Sequence, residues 1–89
     1  MSGQVLKIVN EKGLHARASA KFVEVVEAHD AAAEVTKDGM TVSGDSIMGL
    51  LMLAASRGTS IQVETSGAQA EELGQALTAL VANRFGEDR

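Results

Sequence analysis

The chain has 89 residues, of which 45% are apolar and 22% are charged, and this predicts a single globular domain with one modest core. It contains no cysteine, which excludes disulfides and thiolate metal sites and agrees with a reducing cytosol. A formal net charge of −4 argues against non-specific nucleic-acid binding. Because the sequence has no apolar run long enough for a signal peptide or a membrane span, we expect a cytoplasmic protein without membrane insertion.

The first predicted elements are a strand, a loop and a helix. Residues 4–9 (QVLKIV) form a short β-branched run that is typical of a strand. Residues 10–14 (NEKGL) are the loop, in which Gly13 permits a tight or left-handed turn. From Ala16 to about Ala28 the apolar residues recur at helical spacing, so a helix is predicted there.

A β-hairpin and a second helix follow. Asp38-Gly39 separates the alternating runs 33–37 (AEVTK) and 40–43 (MTVS), and this dipeptide favours a type I′ turn with positive φ at both residues. The next helix is predicted from Ile47 to about Leu53, with Gly58 as a left-handed residue that ends this region. The inward stripe predicted for this helix is Ile47, Leu50 and Leu53.

The last predicted elements are a fourth strand and a third helix. Residues 60–65 (SIQVET) alternate cleanly, which predicts a strand with Ile61 and Val63 directed inward. Ser66 and Gln69 have the spacing of a capping box, so the final helix is expected to start beside them. The apolar positions of that helix are Ala70, Leu73, Leu77, Leu80 and Val81. The tail, residues 86–89, is expected to be frayed.

The order of elements is therefore β-α-β-β-α-β-α. We predict an α+β fold, an open-faced two-layer sandwich in which three helices cover one face of a four-stranded antiparallel sheet. No repeat or linker divides residues 1–89, so the whole chain is expected to be one domain.

His15 is the candidate reactive residue, because it is predicted to lie at the N-terminus of the first helix. The free N–H groups and partial positive charge of a helix N-terminus attract anions such as phosphate. The same field favours a neutral imidazole, whose free lone pair makes it a nucleophile. Arg17 offers a planar fork of donors to phosphate oxygens. The alternative is a surface histidine at an ordinary loop–helix junction, since the pattern supplies no general base, metal ligand set or pocket.

Two separate motifs carry a resemblance to a known family. Residues 13–17 (GLHAR) and 46–50 (SIMGL), together with the order of elements, resemble HPr, the histidine-containing phosphocarrier of the bacterial phosphotransferase system. The resemblance extends from about Val5 to Phe85. It implies that His15 accepts a phosphoryl group on Nδ1 from phosphorylated enzyme I and passes it to an enzyme IIA. It also implies a carrier rather than an enzyme, monomeric and without metal or cofactor.

The resemblance assigns roles to neighbouring residues as well. Arg17 matches the family arginine that helps to stabilise the phosphoryl group, and the backbone N–H groups of Ala16 and Arg17 would contribute to holding it. Ala18 is a departure, because the family usually has proline there. We expect the helix to survive with a less rigid start, so that the rate of transfer is affected more than the function itself.

Ser46 and the second helix are further candidates. Ser46 fits a helix N-cap, and in part of the family the matching serine is also phosphorylated by an HPr serine kinase, which would add negative charge there. Met48, Leu51 and Met52 have the spacing of core residues. They also suit a partner-docking face if the inward stripe fills the core, because flexible methionine accommodates unlike partners.

Several functional alternatives stay open at this point. Within the phosphocarrier hypothesis, residues 50–53 and the acidic tail look closer to the nitrogen-related regulatory branch (NPr), whereas residues 44–49 look like the sugar-transport type. An HPr-like module that binds regulatory targets without phosphoryl transfer is a second class, which His15 and Arg17 count against. A small-ligand-binding domain is a third, and the sequence offers no set of polar residues that would line its pocket.

Overall fold

Four antiparallel strands form one sheet in the computed structural model, which describes the backbone of residues 2–89 and the side chains of residues 3–89. The strands are β1 (Ser2–Lys7), β2 (Ala32–Lys37), β3 (Met40–Ser43) and β4 (Ser60–Ser66). Their order across the sheet is β1-β4-β2-β3. The fourth strand thus lies between the first two, so the sheet depends on contacts between distant parts of the chain.

Three α-helices connect and follow the strands, namely α1 (Ala16–Glu27), α2 (Ile47–Met52) and α3 (Ala70–Ala82), and a short 3₁₀ turn spans Arg84–Gly86. In β4 the inward residues Ile61, Val63 and Thr65 are buried, whereas their neighbours along the strand are exposed. One face of the sheet is therefore covered and the other is open. The predicted α+β class, the order β-α-β-β-α-β-α and the open-faced sandwich are confirmed.

Local sequence rules placed the hairpin correctly. Asp38 and Gly39 have φ of 51° and 81°, as a type I′ turn requires, and Lys37 pairs with Met40 across it. The first strand starts and ends earlier than predicted. Pairing nevertheless continues beyond Lys7, since Ile8 N–H donates to the Thr59 carbonyl at 2.8 Å and Ile8 O accepts from Gly58 N–H at 2.8 Å.

The start of α3 differs from the prediction. Ser66 is the last residue of β4, and the N-cap of α3 is Gln69, whose side chain makes no capping hydrogen bond. Gln69 Oε1 instead accepts from the backbone N–H of Asp30 at 2.6 Å. The predicted capping box is therefore wrong, because Ser66 stays paired in the sheet and Gln69 connects α3 to the loop that follows α1.

The helix α2 ends close to the predicted boundary, but Gly58 is not the residue that ends it. The helix stops at Met52 with Leu53 as its C-cap, and Ala54 takes the left-handed conformation at φ 51°. Gly58 is left-handed too, at φ 89°, but it lies in the turn before β4. Leu50 and Leu53 are buried as predicted, whereas Ile47 is 40% exposed and does not belong to the inward stripe.

Candidate functional site

His15 is the N-cap of α1, as predicted. Its backbone is extended, at φ −78° and ψ −177°, and its Nδ1 accepts a hydrogen bond from the backbone N–H of Arg17 at 3.3 Å. Its carbonyl accepts the first helical bond, from Ser19 N–H at 2.8 Å. The imidazole therefore replaces the usual serine or aspartate of an N-cap, and its ring nitrogen sits at the positive end of the helix.

The turn before His15 is fixed against the segment that follows α2. Gly13 has φ of 67°, and Leu14 N–H donates to the Ala55 carbonyl at 2.9 Å. A Cβ at position 13 would lie 2.5 Å from Ala55 O, so the two backbones touch without room for a side chain. The location of His15 thus depends on a glycine and on a buried Leu14.

Arg17 and Ala18 lie in the first turn of α1. In the part of the chain that the structure describes, the exposed Arg17 side chain has no ion-pair partner, which leaves its guanidinium available to an incoming anion. Ala18 is fully buried at a position where the backbone N–H has no partner within an α-helix. Proline and alanine therefore both suit this position, and α1 begins at Ala16 without proline.

A carboxylate that sequence analysis did not single out completes the site. Glu87 Oε2 contacts His15 Nε2, and Glu87 Oε1 accepts from Asn10 Nδ2 at 3.0 Å. The backbone N–H of Glu11 donates to Arg89 O at 3.0 Å. The tail that we expected to be frayed lies over His15 instead, because these contacts connect it to the loop before α1.

The electrostatics of Glu87 follow from these neighbours. Burial opposes ionisation, but hydrogen bonds with Asn10 and His15 and favourable electrostatic interactions with His15 and Lys12 bring the pKa of Glu87 below its ordinary value. A carboxylate is therefore the stable form beside the ring. The sequence held a signal for this contact, since three basic residues surround His15 and the tail is acidic, but charge complementarity alone does not specify which acid pairs with the ring.

Ser46 caps α2, as predicted. Its Oγ accepts from the backbone N–H of Gly49 at 3.0 Å, and its carbonyl accepts the first helical bond from Leu50 at 3.0 Å. Gly49 itself lies close to β3, because a Cβ there would meet the Val42 side chain at 2.9 Å. The serine thus fixes the start of a helix of only six residues.

Replacement of Ser46 by alanine is expected to lower the free energy of unfolding by about 1 kcal/mol, because the Gly49 N–H loses its side-chain acceptor. Urea denaturation followed by circular dichroism measures the change. Ser46→Asp keeps a capping oxygen and is the matched control, with stability near that of the unsubstituted protein. Equal midpoints for Ser46→Ala and the unsubstituted protein would contradict a stabilising role for the cap.

The structure exposes two of the three candidate docking residues. Met48 is 70% exposed and Met52 is 64% exposed, with Ile47 beside them, whereas Leu51 is partly buried.

Within residues 2–89, the structure has no group of three histidine, aspartate or glutamate side chains arranged to hold a metal ion. None of the helices in this range is both long enough and apolar enough to cross a membrane.

Comparison with known proteins identifies the family to which this arrangement belongs. Residues 3–83 match the family model described as the PTS HPr component phosphorylation site. The chain belongs to the HPr family. An HPr phosphocarrier of Neisseria meningitidis serogroup A is 48% identical over 87 residues, which cover 98% of both chains.

Further HPr-family relatives support the same assignment. The phosphocarrier protein NPr of Escherichia coli is 37% identical over 86 residues, which cover 96% of both chains. A crystal structure of an HPr from Thermoanaerobacter tengcongensis superposes with a TM-score of 0.95 at 35% identity and covers the whole of both chains. As a member of the HPr family, this chain is a phosphocarrier of the phosphotransferase system. Its partners are, in general terms, proteins of that system.

Proposed function

We propose that this protein accepts a phosphoryl group on His15 Nδ1 from phosphorylated enzyme I and passes it to an enzyme IIA. The observation that carries the proposal is the contact of Nδ1 with the Arg17 backbone N–H at the N-terminus of α1. A nitrogen that accepts this bond holds a lone pair. The backbone N–H groups at the N-terminus of α1, that of Arg17 among them, can then donate to the oxygens of the phosphoryl group once it is bound to the ring.

The transfer step needs no other reactive group from this chain. The Nδ1 lone pair forms a bond to phosphorus while the nitrogen–phosphorus bond of the donor breaks, and the bonding electrons stay on the donor nitrogen. The exposed Arg17 guanidinium compensates the charge on the phosphoryl oxygens. Catalysis then consists mainly of positioning and charge compensation, which the two docked proteins share.

The test is incubation with phosphoenolpyruvate, Mg²⁺ and enzyme I, followed by mass spectrometry. We expect the protein to gain one phosphoryl group that is stable in alkali and labile in acid, as a phosphoramidate is. A protein that stays unmodified under conditions in which a known HPr is phosphorylated would refute the proposal.

The proposal extends to partners and regulation. The exposed side chains of Met48 and Met52, with the partly buried Leu51, are proposed as part of the face that docks enzyme I and enzyme IIA. Ser46 is proposed as the target of an HPr serine kinase. Its hydroxyl caps α2 in the unmodified protein, and a phosphate there would add negative charge at the start of this helix. We also propose that the protein is a cytoplasmic monomer.

One experiment decides between sugar transport and nitrogen regulation. The phosphorylated protein is offered to a sugar-specific and a nitrogen-related enzyme IIA together, and the enzyme IIA that is phosphorylated faster identifies the branch.

Replacement of Arg17 by alanine is expected to leave the protein folded and to slow phosphoryl transfer by about 100-fold, because the phosphoryl oxygens lose a charged donor. The initial rate at limiting enzyme I measures the effect. Arg57→Ala, which removes an exposed arginine from the loop before β4, is the matched control and should transfer at the unsubstituted rate. An unchanged rate for Arg17→Ala would remove the guanidinium from the site.

A further inference from the structure

The tail reaches His15 through a backbone reversal after α3. Arg84, Phe85 and Gly86 all have positive φ, at 55°, 54° and 79°, and the Phe85 side chain is fully buried in the core. Lys21 Nζ on α1 donates to the Phe85 carbonyl at 2.7 Å. The core and α1 therefore fix the turn that directs Glu87 onto the imidazole.

Glu87 is in turn held by Asn10. Asn10 is fully buried, and its Nδ2 donates both to the Gly13 carbonyl at 2.8 Å and to Glu87 Oε1 at 3.0 Å. The opposite orientation of this amide would direct an oxygen at two acceptors, so the contacts themselves settle which atom is the nitrogen. Both carboxylate oxygens of Glu87 are thus engaged, one by Asn10 and the other by His15.

The two nitrogens of the His15 ring face opposite kinds of group. Nδ1 faces the Arg17 N–H, a donor, and Nε2 faces the Glu87 carboxylate, an acceptor. In a neutral ring this pair of neighbours places the proton on Nε2 and the lone pair on Nδ1. An orienting carboxylate behind a reactive imidazole serves the same purpose in other sites that use histidine.

We propose that Glu87 is a positioning residue, which holds the proton on His15 Nε2 and compensates the positive charge that the ring acquires when Nδ1 bonds to phosphorus. The first half of this proposal concerns the unmodified protein. The second half rests on the proposed phosphocarrier function. During the transfer the proton stays on Nε2, so the ring becomes cationic directly opposite the carboxylate, and an oppositely charged neighbour is most stabilising at that stage.

Other charged groups lie near Glu87 and His15, so Glu87 is one of several charges that act on the ring. The charged residues that line the same depression are Glu11 and Lys12 in the loop, Arg17 and Lys21 on α1, and Asp88 and Arg89 in the tail. Glu87 differs from the other acids because it touches the ring and is largely shielded, with its side chain 17% exposed. Asp88 is exposed, which makes it the natural control for charge without contact.

The first experiment needs no phosphoryl transfer. Nuclear magnetic resonance of the ring protons is recorded for the unsubstituted protein, Glu87→Ala and Asp88→Asn at a pH where the ring is neutral. We expect a slowly exchanging Nε2–H resonance in the unsubstituted protein and in Asp88→Asn, and its loss in Glu87→Ala. Persistence of the resonance in Glu87→Ala would overturn the proposal that the carboxylate holds this proton.

The second experiment measures the consequence for transfer from phosphorylated enzyme I. Glu87→Gln keeps the side-chain volume but removes the charge. With this variant as the substrate of enzyme I, the kcat of phosphoryl transfer is expected to fall about tenfold, while the KM for the variant stays within about twofold of the value for the unsubstituted protein. Asp88→Asn should retain the original kcat. An unchanged kcat in Glu87→Gln, or a change in KM alone, would overturn the proposed charge compensation.

The two experiments separate this inference from the proposed function. If the unsubstituted protein accepts no phosphoryl group, the phosphocarrier proposal fails, and so does the proposal that Glu87 compensates the charge of the phosphorylated ring. The ring resonance still tests whether Glu87 holds the proton on His15 Nε2. If the protein is phosphorylated and the Glu87 variants behave like the unsubstituted protein in both experiments, only the role of Glu87 is refuted. Thermal unfolding of each variant excludes a general loss of structure as the cause.

Discussion

His15→Asn is expected to abolish the gain of a phosphoryl group from enzyme I and phosphoenolpyruvate. An amide side chain has no basic nitrogen lone pair with which to attack phosphorus, so the loss should be complete rather than partial. Asparagine is among the best N-cap residues, so α1 keeps an acceptor for its first N–H groups and the protein stays folded. Mass spectrometry after incubation with enzyme I measures the result.

The second histidine of the chain supplies the control. His29 lies after the end of α1, where its Nδ1 hydrogen-bonds the Val25 carbonyl at 2.8 Å. His29→Asn should therefore gain one phosphoryl group like the unsubstituted protein. A phosphoryl group that still appears on His15→Asn would transfer the acceptor role to another residue and refute the site.

The parts of the fold that sequence predicted well are those fixed by neighbouring residues. The Asp38-Gly39 turn and the caps at His15 and Ser46 each depend on two to four consecutive residues. The backbone geometry and the capping atoms lie within that window, so the sequence alone specifies them. Two of the three helix N-termini and the hairpin were found in this way.

The features that sequence missed depend on distant residues. Gln69 forms its hydrogen bond with Asp30 rather than with its own helix, and Glu87 contacts Asn10 and His15 from the far end of the chain. No local pattern contains these interactions, since they exist only after strands and helices have brought the segments together.

The same distinction applies to the site. His15 and Arg17 are predicted as site residues because a histidine, a helix N-terminus and a cation lie within three consecutive positions. The orienting carboxylate is 72 residues away in sequence and comes from a tail whose polar composition is typical of a frayed end. A short candidate motif can thus be predicted from sequence, whereas the carboxylate that contacts its histidine is brought there by the fold.

Gly13→Ala is expected to destabilise the protein by about 3 kcal/mol, from left-handed backbone strain of about 1–2 kcal/mol and overpacking of about 1–3 kcal/mol. The Cβ would lie 2.5 Å from Ala55 O and 2.9 Å from Ser56 Cα. Both are backbone atoms, which cannot rotate away as a side chain can. Urea denaturation gives the change in stability, and the rate of phosphoryl gain should fall because the turn that holds His15 is displaced.

Gly58→Ala separates the two contributions. Gly58 has φ of 89°, but a Cβ there would meet no atom within 4 Å, so only the backbone strain of about 1–2 kcal/mol remains. Position 58 is in the turn before β4, and phosphoryl gain should therefore be unaffected in the folded protein. If Gly13→Ala is no more destabilising than Gly58→Ala, the contact between the His15 turn and the Ala55 backbone is not a constraint. If it is more destabilising and also slows transfer, the position of His15 depends on that contact, because the two variants share the same backbone strain.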